Sequence, residues 1–289
     1  MAATMGRAAT RLPANRNVKW GLGSNLWNSF PRVPFTDILD VMRDTGFIGL
    51  RLTQFPQILK TYDLTLSRMQ AEVSRRGCRI VTISFSGPMH DPARRAEVIA
   101  GAKAAMGFLK EFGARHLVVF SPKRSAAGDS AFRSMCECFN EVGRTACEMG
   151  FHAGLHNHMG QMVQNSAEVD RAMALTDPEL FYFAPDTAHL HLAGCDTVQT
   201  LEKYKDRLML ADYKDARRPR NAQPDTFDLN TIFDLGDGEI DFAGCHRVLK
   251  SISFNGWLIV DLDIARRGPR ASYERCGAYV VNRLEPIYA

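Results

Sequence analysis

Two histidines flank an asparagine in the stretch GLHNHMG (residues 154–160), directly after an apolar run. An imidazole there can ligate a metal, carry a proton, or simply end a strand. Three later segments carry comparable chemistry. FAPDTAHLHLAG contains Asp186 and His189, LADYKDAR contains Asp212, Lys214 and Asp215, and WLIVDLD contains Asp261 and Asp263. A lone Asp at the end of an apolar run is more often a helix N-cap than a ligand. His189 and His191 can equally be satisfied loop histidines. The joint pattern says more. Carboxylates brought to one spot would repel unless a cation or shared protons compensated them. A divalent ion resolves that conflict, and mixed oxygen and nitrogen donors suit Mn, Mg, Co, Fe or Zn. His156 is therefore read as a ligand, with His158 on the other side of the strand or in the loop.

The elements that must position these residues repeat one pattern from residue 18 onward: apolar strand, short loop, amphipathic helix. The strand runs are VKWGLG, GLRLT, RIVTISF, HLVVFSP, HAGLH, FYFAP, LMLADY and WLIVD. Most are spaced by roughly 30 to 35 residues, the length of one βα unit. The gap before the last run is longer and holds the polar stretch DARRPRNAQPDTFD. In FTDILDVMRDTG the residues Ile38, Leu39, Val41 and Met42 share a side and Gly46 is a natural stop. Strands rich in Val, Ile and Leu alternating with helices imply a parallel sheet covered on its outside. Eight units predict a (β/α)8 TIM barrel, with its polar residues gathered at the C-terminal ends of the strands. A doubly wound sheet would call for a glycine-rich phosphate turn after the first strand, and GLGSNLW lacks the GxGxxG pattern.

Composition excludes several classes. The chain has 289 residues, of which 45% are hydrophobic and 24% charged, ordinary values for a globular protein. A net charge of +4 is too small to argue for nucleic acid. No run of membrane-spanning length occurs. The seven cysteines (78, 136, 138, 147, 195, 245, 276) form no CxxC motif and fit a reduced, cytoplasmic setting. Residues 1–17, with Arg7, Arg11 and Arg16, read as a loose tail, and 18–289 as one barrel domain.

The segments LHNHMGQMVQNSAEVDRAMALTDPE, FAPDTAHLHLAGCD, LADYKDAR, LGDGEIDF and GWLIVDLD resemble the xylose-isomerase-like barrels, the superfamily of sugar phosphate isomerases and epimerases. Within it the chain looks most like the inosose dehydratase branch. The resemblance implies one divalent metal, Mn²⁺ first and Mg²⁺, Co²⁺ or Zn²⁺ otherwise, at the ends of strands five to eight. There the superfamily carries Glu, Asp, His and Glu, and this chain carries His156, Asp186, Asp212 and Asp261. Histidine at the first position is also what the inosose dehydratase branch shows. Asp212 and Asp261 are departures, and an Asp reaches roughly 1.3 to 1.5 Å less far than a Glu.

The implied chemistry is removal of a proton next to the carbonyl of a sugar or cyclitol, followed by isomerisation, epimerisation or dehydration. By the resemblance Asp261 is ligand and base, and Lys214, His158 or His189 the acid or hydroxyl anchor. Asn25 and Trp27 after the first strand, His189, Asp215 and Arg217 are expected to contact substrate. Arg217, Arg218, Arg220, Arg266, Arg267 and Arg270 follow the last two strands, where barrels often bind phosphate. Two other readings stay open: a non-catalytic barrel subunit or sensor with a degraded metal site, and an endonuclease IV-like DNA repair enzyme. The second lacks ligands in GSNLW, LTQF and SFSG. The expected partner is a small molecule, with no nucleic acid or membrane, and a homo-oligomer is left open.

Overall fold

Strands apolar on both faces are stable only when covered on both, and the chain meets that demand by curling its sheet. The computed structural model describes residues 17–30, 33–124, 128–220 and 225–288. The first half of the chain runs β1 (Val18–Gly23), α1 (Phe35–Thr45), β2 (Gly49–Leu52), α2 (Gln57–Thr61), α3 (Leu66–Arg75), β3 (Arg79–Phe85), α4 (Arg95–Lys110), β4 (His116–Phe120) and α5 (Asp129–Glu148). The second half runs β5 (His152–His156), α6 (Ser166–Leu175), β6 (Phe181–Phe183), α7 (Thr187–Leu192), α8 (Thr197–Tyr204), β7 (Ala211–Tyr213), β8 (Asp215–Ala216), β9 (Ile232–Phe233), α9 (Phe242–Ser251), β10 (Gly256–Val260) and α10 (Pro269–Tyr279). Local signals set the ends. Gly46 closes α1 at φ 86°, donating to Met42 O, and an Asn165–Glu168 capping box opens α6.

Eight of these strands form one parallel sheet in the order β6-β5-β4-β3-β2-β1-β10-β7. β1 pairs β10 from Val18–Gly256 to Leu22–Val260, so the first and last barrel strands lie side by side. β6 and β7 meet through isolated parallel bridges, Phe183–Leu208 and Asp186–Asp212, and the Asp212 N–H donates to Pro185 O at 2.8 Å. This is a (β/α)8 TIM barrel. The seventh expected run, LMLADY, is regular only over Ala211–Tyr213. The long segment before the last strand holds a small antiparallel pair, β8 with β9, in a separate two-stranded sheet. Two-residue strands are too short to show an alternation in sequence.

The main core lies between strands and helices. A second cluster, Val81, Val118, Ala184, Met209, Leu210, Trp257 and Ile259, fills the inside of the barrel. It forms a dry floor beneath the C-terminal strand ends. No helix among the described residues is long and apolar enough to cross a membrane. The tail expected over 1–17 lies outside the described residues except Asn17, whose carbonyl accepts from Gly256 N.

Candidate active site

Above the dry floor, alternation along the strands decides which side chains enter the barrel. Residues two apart share a face. Asp212 and Lys214 therefore point inward while Tyr213 points out against Trp20, Phe242 and His246. His158 lies in the loop after β5, the second of the two places expected for it. Lying two residues beyond His156, it faces the same cavity, with the rings 6.3 Å apart. Asn157, between them, points away and ties β5 to the end of β6: it accepts from Asp186 N at 3.0 Å and donates to Asp186 O at 3.2 Å.

The inward groups form one buried ionic cluster. Lys214 Nζ lies 2.6 Å from Asp261 Oδ2, 2.9 Å from Asp263 Oδ2 and 3.1 Å from Asp186 Oδ2. Arg51, on β2, lies with Nη1 2.7 Å from Asp212 Oδ2 and Nη2 2.7 Å from Asp261 Oδ1. Arg51 was absent from the sequence candidates. Its only signal was a charged residue inside the apolar run GLRLT. Compensation of the carboxylates, attributed above to a metal, is thus supplied at least partly by two side chains. Gly23 makes the approach of Asp261 feasible, since a Cβ there would stand 2.0 Å from Asp261 Oδ1.

Electrostatics sorts three of these aspartates. Burial alone would raise the Asp261 carboxyl, but Arg51 and Lys214 outweigh it and hold it at about 2. Burial pushes Asp186 up to about 6, and raises Asp212 well above the usual carboxylate range despite Arg51. Burial works against the charge on Lys214 too, yet Asp186, Asp261 and Asp263 raise it well above a free lysine, so it stays an ammonium. Burial, then Lys214, lowers His158 to about 4, and burial keeps His156 and His189 neutral. His158 Nδ1 lies 2.7 Å from Met159 O. A carbonyl only accepts, so Nδ1 carries the hydrogen and Nε2 the lone pair.

Three groups bring metal-ligating atoms together, although each of the two carboxylates also faces a side-chain cation. His156, Asp186 and Asp212 bring ligand atoms within 4.8 Å of one another. His156 Nδ1 lies 3.3 Å from Asp212 Oδ2, and Nε2 lies 3.7 Å from Asp186 Oδ2. Asp186 serves both readings weighed for it. Its Oδ1 caps α7 by accepting from Ala188 N and His189 N, while its Oδ2 faces Lys214, Asp212 Oδ2 faces Arg51, and Asp212 Oδ1 and His156 Nδ1 are buried without a hydrogen-bond partner. One imidazole and two carboxylates, with orphaned atoms on His156 and Asp212, fit a divalent cation. Asp261, the fourth expected ligand, lies outside this group, with its oxygens 2.7 Å from Arg51 and 2.6 Å from Lys214, the same two cations that face Asp212 Oδ2 and Asp186 Oδ2.

The remaining candidates separate into cavity and scaffold. A cavity of about 640 Å³ opens over the cluster, and Asn25, Arg51, His156, His158, Lys214 and Asp261 line its polar end. Asn25 Nδ2 donates to Asp263 Oδ1 at 2.8 Å and to Leu262 O at 3.1 Å. His189 lies just behind, its ring 3.7 Å from that of His158 and Nε2 3.5 Å from Lys214 Nζ. Three residues expected to contact substrate do not reach the cavity. Trp27 is buried and stacked on Tyr273 at 5.6 Å. Asp215 points opposite to Lys214 and accepts from the N–H groups of Ala216, Gly236, Gly238 and Ile240, fixing the LGDGEIDF turn. Arg217 donates to Asp237 O and covers the Phe233 ring at 4.6 Å. Nor do the other arginines form a phosphate site here. Arg266 bonds carbonyls, Arg267 meets Asp237, Arg270 meets Asp44, and none of the six lines the cavity.

Comparison with known proteins agrees with this architecture. The sequence model of the xylose isomerase-like TIM barrel family matches residues 39–275. An inosose dehydratase of Clostridium perfringens is 29% identical over 278 residues, covering 86% of this chain and 91% of that protein. One of Lacticaseibacillus casei is 30% identical over 254 residues, covering 80% and 83%. Among solved structures, a sugar phosphate isomerase/epimerase from Parabacteroides distasonis superposes with a TM-score of 0.75 at 17% identity, over 100% of both chains. An IolI protein with a bound zinc atom gives 0.76 at 14% identity, over 94% of this chain and 99% of that one. The chain belongs to the xylose isomerase-like TIM barrel family.

Proposed function

We propose that this member of the xylose isomerase-like barrels is a divalent-metal-dependent enzyme that removes a proton next to the carbonyl of a sugar or cyclitol, as an inosose dehydratase or a sugar isomerase or epimerase does. The carrying observation is the convergence of His156, Asp186 and Asp212, with Asp212 Oδ1 and His156 Nδ1 lacking a hydrogen-bond partner, beside the Lys214 ammonium at the base of the cavity. His156, Asp186 and Asp212 would hold the ion, Mn²⁺ in the first instance and Mg²⁺, Co²⁺ or Zn²⁺ as alternatives. When bound, it supplies Lewis-acid polarisation of the carbonyl.

The chain's own residues supply the rest. Asp261, held at about 2 between Arg51 and Lys214, is a weak proton acceptor. His158, neutral and with its tautomer fixed by Met159 O, offers Nε2 as the base. Lys214, locked by three carboxylates, donates a hydrogen bond where negative charge builds on the substrate oxygen. Its raised proton affinity rules out a nucleophilic amine. Asn25 positions a substrate hydroxyl, and His189, buried behind the cavity, backs the His158 ring. The substrate is a small molecule, and all seven cysteines are free thiols, in keeping with a cytoplasmic enzyme.

The test is incubation of keto-sugars and inososes in D₂O with and without Mn²⁺, read by NMR. Wild type should incorporate deuterium at the carbon next to the carbonyl, and His158→Gln should lose about 10²- to 10⁴-fold of that rate. Asp186→Ala should abolish the thermal stabilisation by Mn²⁺, which at a hundredfold excess over Kd is about 2.7 kcal/mol in the intact site. Absence of exchange with every metal and ketone would count against the reading.

A further inference from the structure

The cavity is larger and more lopsided than a bare sugar requires. Its volume of about 640 Å³ is that of a pocket for a drug-sized ligand. A monosaccharide or cyclitol displaces roughly six waters, about 180 Å³ at about 30 Å³ each. The ionic cluster lines part of it. Phe55, Pro56, Phe85 and Phe120, with Gly101 and Ala104 of α4, line the rest beside the polar Gln54, Ser84, Ser86 and Gln161.

That apolar wall is a built feature. Phe55 and Phe85 are only half-buried, so their exposed faces are left to the cavity. Phe55 is braced from behind by Phe108 at 4.8 Å, and Phe108 by Phe112 at 5.1 Å. Gln54 turns the chain at a left-handed φ of 56° immediately before Phe55, a conformation that costs a non-glycine residue energy. Gly101 sits inside a helix, where glycine is unfavourable, and a Cβ there would already stand 3.2 Å from Phe85. Both helix positions keep space open next to an aromatic face. Phe120 joins the two ends, its ring stacked on His156 at 4.1 Å.

We infer that the substrate is a two-part molecule: a sugar or cyclitol ketone bearing an apolar substituent of about the size of one aromatic ring. The ketone part lies over Lys214, His156 and His158, and the substituent lies in the lobe made by Phe55, Phe85, Gly101 and Ala104. The inference rests on the function proposed above for the polar end and adds the recognition element at the other.

The experiment compares an inosose with its mono-O-benzyl ethers, using the Mn²⁺-loaded protein. Binding is measured by calorimetry and turnover by deuterium incorporation. Wild type should prefer one benzyl ether by on the order of ten- to a hundredfold in Kd and kcat/KM, the factor for burying one aromatic ring. Ala104→Phe fills the lobe from an exposed helix position and should bring the ratio close to one, while Ala104→Ser should retain the preference. Equal or better handling of the bare inosose by wild type overturns the inference, as does a preference that Ala104→Phe leaves intact. Tight benzyl-ether binding that Ala104→Phe removes, without exchange on any ketone, would uphold the lobe and refute the proposed chemistry. Failure of both measurements refutes both.

Discussion

Removing Arg51 is the sharpest perturbation the site offers. Its guanidinium, 2% exposed, contacts Asp212 and Asp261 at 2.7 Å each. Arg51→Met keeps most of the side-chain volume but leaves two buried carboxylates short of a counter-charge. Breaking a buried pair from one side costs about 3–5 kcal/mol. At about 2–4 °C per kcal/mol for a large domain, the melting temperature in chelator should fall by roughly 6 to 20 °C. Two controls separate charge from packing. Adding Asp212→Asn to Arg51→Met removes one of the stranded anions and should recover a large part of the loss. Mn²⁺ should stabilise Arg51→Met by more than it stabilises wild type, because the ion and the guanidinium act on the same Asp212 carboxylate. The assay is differential scanning calorimetry of the three proteins, each with chelator and with Mn²⁺. A melting temperature for Arg51→Met within 2 °C of wild type in chelator (roughly 1 kcal/mol) would refute the assignment of Arg51 as counter-ion. So would an equal loss in the double variant.

Two further outcomes follow from the packing. Gly23→Ala places a Cβ 2.0 Å from Asp261 Oδ1, so Asp261 must leave Arg51. Loss of about 1–3 kcal/mol by thermal melt, together with slower deuterium exchange, is expected, and wild-type behaviour in both would show that β1 yields more easily than its pairing implies. His246 packs against Trp20 at 5.7 Å and Tyr288 at 5.0 Å, and burial lowers it from 6.5 to about 4. Its folded form resists protonation, so stability is lost as pH falls from about 6.5 towards 4. His246→Phe should make the fall in melting temperature across that window shallower, the other buried histidines still contributing to it, and leave the profile unchanged above pH 7.

How much of this was legible in the sequence depends on pattern length. The strands show as runs of Val, Ile and Leu, and RIVTISF and HAGLH coincide with β3 and β5 residue for residue. His156, Asp186, Asp212 and Asp261 were visible because each ends such a run. Arg51 was not, because one charge inside a run reads as noise until its neighbours across the barrel are known. Its position two before Thr53, another polar residue of the same face, was the available clue. Asp215 misled by its proximity to Lys214, although adjacent residues on an extended chain face opposite ways. Trp27 sits in a polar loop by sequence, but its ring goes under the cavity to meet Tyr273 from the far end of the chain. Contacts of that span leave no local trace.

The bridge between Asp186 and Asp212 has a consequence for when the protein becomes competent. β6 and β7 end the strand order of the sheet, and they meet at this bridge and at Phe183–Leu208. The seam of the barrel therefore runs through the candidate ion site. A chain with every strand paired except at this seam would be nearly folded, yet its two carboxylates would stand apart with nothing to hold an ion between them. Closing the seam and assembling the site are one event. An ion bound by both carboxylates would act as a clasp across the last gap to close, and its removal would loosen first the place where the cylinder is thinnest.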